Sequence, residues 1–383
     1  MGMCLARRGV MPVARATKRL LLLTLLVTVA AIFAATSATR LMGRPIFAPE
    51  AWQALNNRDP ARAASLFDEA LKEHPRDPML HFGVAAAAYA MGQSGDAASS
   101  LRTALDLNPR FPEALALQAR VAYDRGDSEL AVRSMEQAVA LRPSDTRMTE
   151  LLDRWHRETR VHDSYVEKPT GHFRILYEGG TDQSVGDHVA RLLESEYVRM
   201  GRIFNTQIID PVTVVLYTNL EFHEITRSPA WATGEYDGRI RVAAGNALAA
   251  TPDLDRIVAH ELVHALVASA TGGRLPAWLN EGLASYFENT DTSWASGLLR
   301  RSNGVIPLES LTGGFMTLDE QRAPIAYAES AIAAETLCHL LGPNLGGFVH
   351  SVGNGASVDQ ALLEYQVQPN AFHAEWNRRV EAR

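Results

Sequence analysis

The chain has 383 residues, a formal net charge of −7 and a pI near 6.0. That acidic balance supplies no basic field for nucleic acid, and the composition is that of an ordinary globular protein, long enough for two domains. The only cysteines, Cys4 and Cys338, stand at opposite ends, which excludes a disulfide framework.

Residues 1–40 read as a targeting segment. Arg7, Arg8, Arg15, Lys18 and Arg19 precede an uncharged run over 20–39 that Arg40 closes. Twenty residues at about 1.5 Å each reach about 30 Å, the thickness of a bilayer core. Ala34, Ala35 and Ala38 also suit a signal peptidase, so a signal anchor and a cleaved signal peptide are both open, the length favouring the anchor. Either way the basic end stays cytoplasmic. The remainder is expected on the periplasmic side of the inner membrane, or secreted if the segment is cut.

An internal repeat follows. Pro75, Pro109 and Pro143 are spaced 34 apart, as are Ala63, Ala97 and Ala131, and again Ala70, Ala104 and Ala138; Tyr89 and Tyr123 keep the period, as do Gly92 and Gly126. This is the tetratricopeptide repeat (TPR) length, with small residues where two helices cross and proline just past the second helix. The repeats fall at 44–77, 78–111 and 112–145, the first being least regular, with Arg58 where the others have glycine. An α-helical TPR solenoid is therefore expected over 44–145, either binding a protein partner or substrate or acting as a spacer. Leu151, Leu152 and Trp155 at helical spacing make 146–168 a capping helix and linker.

From 169 the period changes. Residues 172–177 alternate like a strand, 185–204 form an amphipathic helix, and 212–217 are a strongly β-forming run opened by Pro211. A helix or loop over 219–230 and a turn at 234–238 lead into a strand at 239–243. Thr251 then caps a helix whose first turn holds Pro252, Asp253 and Asp255. That helix carries His260-Glu261-Leu262-Val263-His264. The two histidines project about 40° apart, and Glu261 lies about 60° round from His264, placed to touch a water on a shared metal rather than to ligate it. Leu254, Ile257, Val258, Leu262, Val263 and Leu266 cover the rest of the circumference, so the helix is buried and its polar groups need a partner. It ends at Gly272-Gly273, and a second helix from near Pro276 carries Trp278-Leu279-Asn280-Glu281-Gly282-Leu283-Ala284. An antiparallel return puts Glu281 opposite both histidines as third ligand, leaving a fourth position open.

His-Glu-x-x-His followed by Asn-Glu-Gly-Leu-Ala resembles the gluzincin metallopeptidases, most closely the bacterial peptidase-MA-like domains. The resemblance implies an α+β zincin-like metallopeptidase domain over 169–383, with a mixed sheet and edge strand, the metal helix and C-terminal helices. It implies one zinc ion on His260, His264 and Glu281, with Glu261 as general base in peptide-bond hydrolysis. It places 234–243 where the edge strand borders the cleft, to which an extended substrate adds through backbone hydrogen bonds. In many gluzincins a carboxylate four residues after the glutamate ligand supports a histidine; here that position is Ser285, a departure that leaves the supporting group open, and Asp255 reads as a first-turn acid with the orienting of a histidine as its alternative role. Related domains carry a Tyr-Ala-x-Ser segment, here Tyr327-Ala328-Glu329-Ser330 in a helix over 323–341, and Tyr327 is the candidate oxyanion donor, a core tyrosine being the alternative. His339, His350 and His373 read as ordinary histidines, and no Gly-x-Met-Glu-Asn segment of the aminopeptidase kind is present. The expected function is an exported, membrane-anchored zinc metallopeptidase whose repeats recruit a protein partner or substrate. The alternative is a periplasmic TPR scaffold or assembly factor with a non-catalytic peptidase-like domain.

Overall fold

The computed structural model describes residues 47–57, 59–179, 183–245, 250–288, 291–302, 306–315, 318–319 and 321–381. The segment 1–40, read as signal anchor or signal peptide, lies outside the described residues, as does Arg58. Among the described residues no helix is long and apolar enough to cross a membrane.

The repeats fold as helical hairpins: α1 (Pro49–Asn56) with α2 (Pro60–Glu73), α3 (Pro78–Ala90) with α4 (Ser94–Leu107), and α5 (Pro112–Asp124) with α6 (Ser128–Leu141), followed by α7 (Thr146–His162). Proline takes an opening position where its missing N–H costs nothing, and the side chains of Asp59, Asp77, Asp127 and Asp145 accept first-turn N–H groups. Gly92 and Gly126 turn the chain between paired helices at φ 74° and 84°, a conformation that disfavours any side chain. Ala63, Ala97 and Ala131 have no exposed surface, so the second helix of each hairpin can approach its neighbours closely. One turn further on, Phe67, Leu101 and Met135 fill the space beneath.

A five-stranded mixed sheet follows: β1 (Tyr165–Pro169), β2 (Phe173–Glu178), β3 (Val212–Tyr217), β4 (Gly234–Tyr236) and β5 (Ile240–Ala243), in the order β1-β2-β3-β5-β4. The central strands β2, β3 and β5 are parallel, and β1 and β4 are antiparallel edges. Val214 and Leu216 of β3 enter the main core with α8 (Gln183–Phe204), whereas Val215 and Tyr217 pack on the other face against α9 (Asn219–Thr226) and Val161 of α7. Burial on both faces explains why β3 is apolar throughout. Helix α10 (Pro252–Thr271) lies at the centre of the main core, and α11 (Ala277–Phe287), α12 (Ser293–Leu299), α13 (Arg322–Leu341), α14 (Leu345–Gly353), α15 (Val358–Glu364) and α16 (Pro369–Glu381) complete it.

Two segments differ from the sequence expectation. Residues 146–168, read as capping helix and linker, form α7 and most of strand β1, and α7 serves both modules. Its Leu152 and Trp155 close the repeat core, Trp155 stacking on Tyr123 at 4.4 Å, while Val161 reaches the sheet. Residues 234–238, read as a turn, contain edge strand β4, and three residues are too few to produce a period-two signal. The helix-or-loop segment is settled as helix by the Thr218 and Glu221 capping box.

Candidate metal centre

Helix α10 starts where the Thr251 hydroxyl accepts from Leu254 N, and stops at Gly272 in the left-handed conformation. Leu254, Val258, Leu262, Val263 and Leu266, all 2% exposed or less, lock its rotation in the core, which sets the direction of both histidines. Glu281 faces His264 and His260, while Glu288, which caps the end of α11, faces His260 and Arg256. Contacts running in opposite senses make the two helices antiparallel.

Glu281 Oε2 lies 3.5 Å from His264 Nε2 and 3.6 Å from His260 Nε2, and one ligand atom from each of the three residues falls within 4.8 Å of the others. A tetrahedral ion with bonds of about 2.1 Å separates its ligand atoms by about 3.4 Å. The donor set therefore fits a zinc-sized cation. Glu281 Oε2 faces both Nε2 atoms, whereas the buried His264 Nδ1 has no hydrogen-bond partner. Burial lowers the His260 pKa, but hydrogen bonds to Glu281 and Glu288 outweigh it and lift the group to about 10. Burial likewise raises Glu281, and the facing imidazoles outweigh it and hold that carboxyl well below the usual range.

Behind the ligands, Glu288 Oε2 is 2.7 Å from His260 Nδ1, and its Oε1 accepts from Arg256 at 3.1 Å. A carboxylate on Nδ1 keeps that nitrogen protonated, so the proton that His260 gives up to bind an ion is the one on Nε2, facing Glu281. Neither Ser285 nor Asp255 does this. Ser285 is buried without reaching a histidine ligand, and Asp255 instead holds His188 of α8 at 2.5 Å. The readable signal was helical: seven residues after Glu281, at about 700°, Glu288 returns to nearly the same face.

Glu261 is 5% exposed and its Oε2 has no hydrogen-bond partner. Burial, offset in part by His264 and His260, pushes its carboxyl up to about 7. Its other oxygen lies against Gly234 of β4, where an added Cβ would stand 2.8 Å from Glu261 Cδ. Glycine is required there because strand and side chain share the space. Ala243 N donates to Thr233 O and Asp237 N to Arg239 O. In an antiparallel pair bonded positions alternate, so the N–H and C=O groups of Gly234 and Tyr236 point away from β5 to the free edge.

Tyr327 of α13 comes to the same place. Its ring centroid is 6.5 Å from that of His260, and Phe315 and Trp231 hold it edge-on at 5.2 and 6.1 Å. Its hydroxyl reaches the Glu281 carboxylate; burial first, then the charges of Glu281 and Glu261, keep it protonated. All five residues singled out in the sequence, His260, Glu261, His264, Glu281 and Tyr327, thus meet. Glu329 and Ser330 do not join them: Glu329 accepts from Ile306 N at 2.7 Å, and the Ser330 carbonyl packs on Gly282. His350 bonds backbone carbonyls of Phe204 and Asn205, away from the site.

Residues 54–121 match the tetratricopeptide repeat family, from the end of α1 into α5. Repeats of this kind present extended surfaces for protein–protein interaction. No curated protein matches the chain.

Proposed function

We infer that this chain is an exported zinc metallopeptidase of gluzincin type. The supporting observation is the convergence of His260 Nε2, His264 Nε2 and Glu281 Oε2, with the unpartnered Glu261 carboxylate oxygen and an unpaired strand edge alongside. Zinc, suited to two imidazoles and one carboxylate, would be held by those three side chains and would supply a Lewis acid that brings the pKa of water to about 7. Glu261 takes a proton from the attacking water and passes it to the leaving amine. The Tyr327 hydroxyl, kept protonated, donates to the carbonyl oxygen as negative charge builds there. The backbone of Gly234 and Tyr236 receives an extended peptide in one register. Glu288 keeps His260 in the productive tautomer.

The test begins with elemental analysis of the purified protein beside His264→Ala. One zinc per chain in the parent, and its loss in the variant, is expected. Glu261→Gln should then retain zinc and lose cleavage of a peptide library. A folded parent that stays metal-free after zinc is supplied would end the peptidase reading. The second reading, a TPR scaffold with a non-catalytic metal domain, draws on the repeat match; unchanged cellular function in Glu261→Gln would favour it. Export and membrane anchoring follow from the basic and apolar pattern of 1–40, and the protein partner or substrate recruited by the repeats belongs to the same proposal. Fractionation of cells checks the location.

A further inference from the structure

The repeats and the sheet share a buried charged seam. Arg154 of α7, 6% exposed, donates to both carboxylate oxygens of Glu235 on β4 at 3.2 and 2.8 Å and lies 3.1 Å from Asp237 at the following turn. Arg241, paired with Glu235 across the hairpin and wholly buried, sits 2.5 Å from Asp237 and 3.0 Å from Glu158 of α7, and donates to the Tyr123 hydroxyl of α5. Arg239 stacks 3.4 Å above the Tyr123 ring and donates to the Tyr123 carbonyl. Its charge thereby meets the negative end of the α5 helix dipole.

Edge strand β4 has only three residues and one neighbouring strand, too little to hold its own place. One flank of it carries the Arg154 fork on Glu235. The adjacent residue, Gly234, touches Glu261. A bidentate arginine–carboxylate pair fixes orientation as well as distance, so the fork sets how β4 lies against Glu261. Removing it would leave Glu235 a poorly solvated carboxylate without its fork, beside an Asp237 that keeps only Arg241 among its ion-pair partners.

We propose that the repeat array acts in cis as the brace that sets β4 against Glu261, and that Arg154 is a positioning residue for the candidate site. The brace stands on geometry alone; its consequence for turnover rests on the peptidase reading. The surfaces of α5 and α7 that grip the hairpin are also closed to a partner in trans.

The experiment compares the full-length, zinc-loaded protein with Arg154→Ala, Arg154→Lys and Glu235→Gln. Hydrogen exchange is followed over 233–243 and over α10, together with zinc content and kcat/KM on a cleaved peptide. In Arg154→Ala, exchange over 233–237 should rise at least about tenfold while α10 and zinc content stay unchanged. Its kcat/KM should fall by about tenfold to a hundredfold. Arg154→Lys, which keeps charge without the fork, should fall between, as should Glu235→Gln; these two decide the matter if Arg154→Ala does not fold. Unchanged exchange over 233–243 in the folded variants overturns the brace whatever the activity of the chain. Raised exchange with kcat/KM intact overturns the positioning role. A parent that binds zinc and cleaves no peptide overturns the peptidase reading and the positioning role with it, while exchange still decides the brace.

Discussion

Replacing Gly234 by alanine probes the site at its tightest contact. The new Cβ would stand 2.8 Å from Cδ and 2.9 Å from Cγ of Glu261, and closer still to Oε1, whereas carbon atoms at rest sit about 3.5–4.0 Å apart. Strand or carboxylate must therefore yield by roughly 1 Å. Glu261 is the freer of the two, because its Oε2 is tied to nothing while β4 is held by Arg154. The strain is thus relieved mainly by moving the carboxylate, and the stability cost should stay near the low end of about 1–3 kcal/mol for overpacking. Turnover should suffer far more, because a displacement of about 1 Å costs on the order of a hundredfold. The assay is kcat and KM on a cleaved peptide for the zinc-loaded variant, with zinc content and thermal denaturation measured in parallel. Full zinc, a small drop in Tm and a fall of about a hundredfold in kcat are expected. A kcat within about twofold of the parent would refute the placement of β4 against the Glu261 carboxylate.

Other predictions follow from the ligand layer. Glu288→Gln should fold and still bind zinc, but with affinity weaker by about tenfold to a hundredfold, since the carboxylate that orients His260 is gone; competition with a chromophoric chelator measures it, and unchanged affinity would rule out that role. The metal-free protein should lose stability as pH rises. His260 has its pKa raised from 6.5 to about 10 by Glu281 and Glu288 against the effect of burial, so its contribution is complete below pH 6.5 and vanishes as pH passes through about 10. Urea denaturation of metal-free protein across that window, beside His260→Gln, should show a steeper slope in the parent than in the variant. Zinc affinity should move the other way, rising with pH as His260 gives up its proton.

The 34-residue period announced the repeats because each hairpin buries the same positions, and the residues of that period, such as Ala97 and Leu101, are fully buried. His260, Glu261 and His264 could be grouped because their geometry is internal to one helix, and Glu281 because the glycines at 272–273 leave room for an antiparallel return. These facts are local, so they survive in one dimension. Glu288 could not be singled out, since which turn of α11 faces His260 depends on how far that helix slides along α10, and core packing decides the slide. The residue pattern gave a turn at 234–238, and an edge strand there was only what the resemblance implied, because the identity of β4 lies in its pairing with β5 rather than in a pattern of its own. Nothing in the sequence pattern pairs Arg154, Glu158, Arg239 and Arg241 with their partners, because the fold brings together opposite signs from segments more than 80 residues apart. The Tyr-Ala-x-Ser resemblance picked out Tyr327, but left a core tyrosine as the alternative, and only the packing of Phe315 and Trp231 turns its hydroxyl to Glu281. Sequence by itself determined the repeat module and the grouping of His260, Glu261 and His264 in the candidate site, because both follow from helical periodicity. Tertiary structure alone decided what supports that set and how the repeats grip its edge strand, because burial makes ion pairing between distant charges favourable only once the surrounding chain has excluded water.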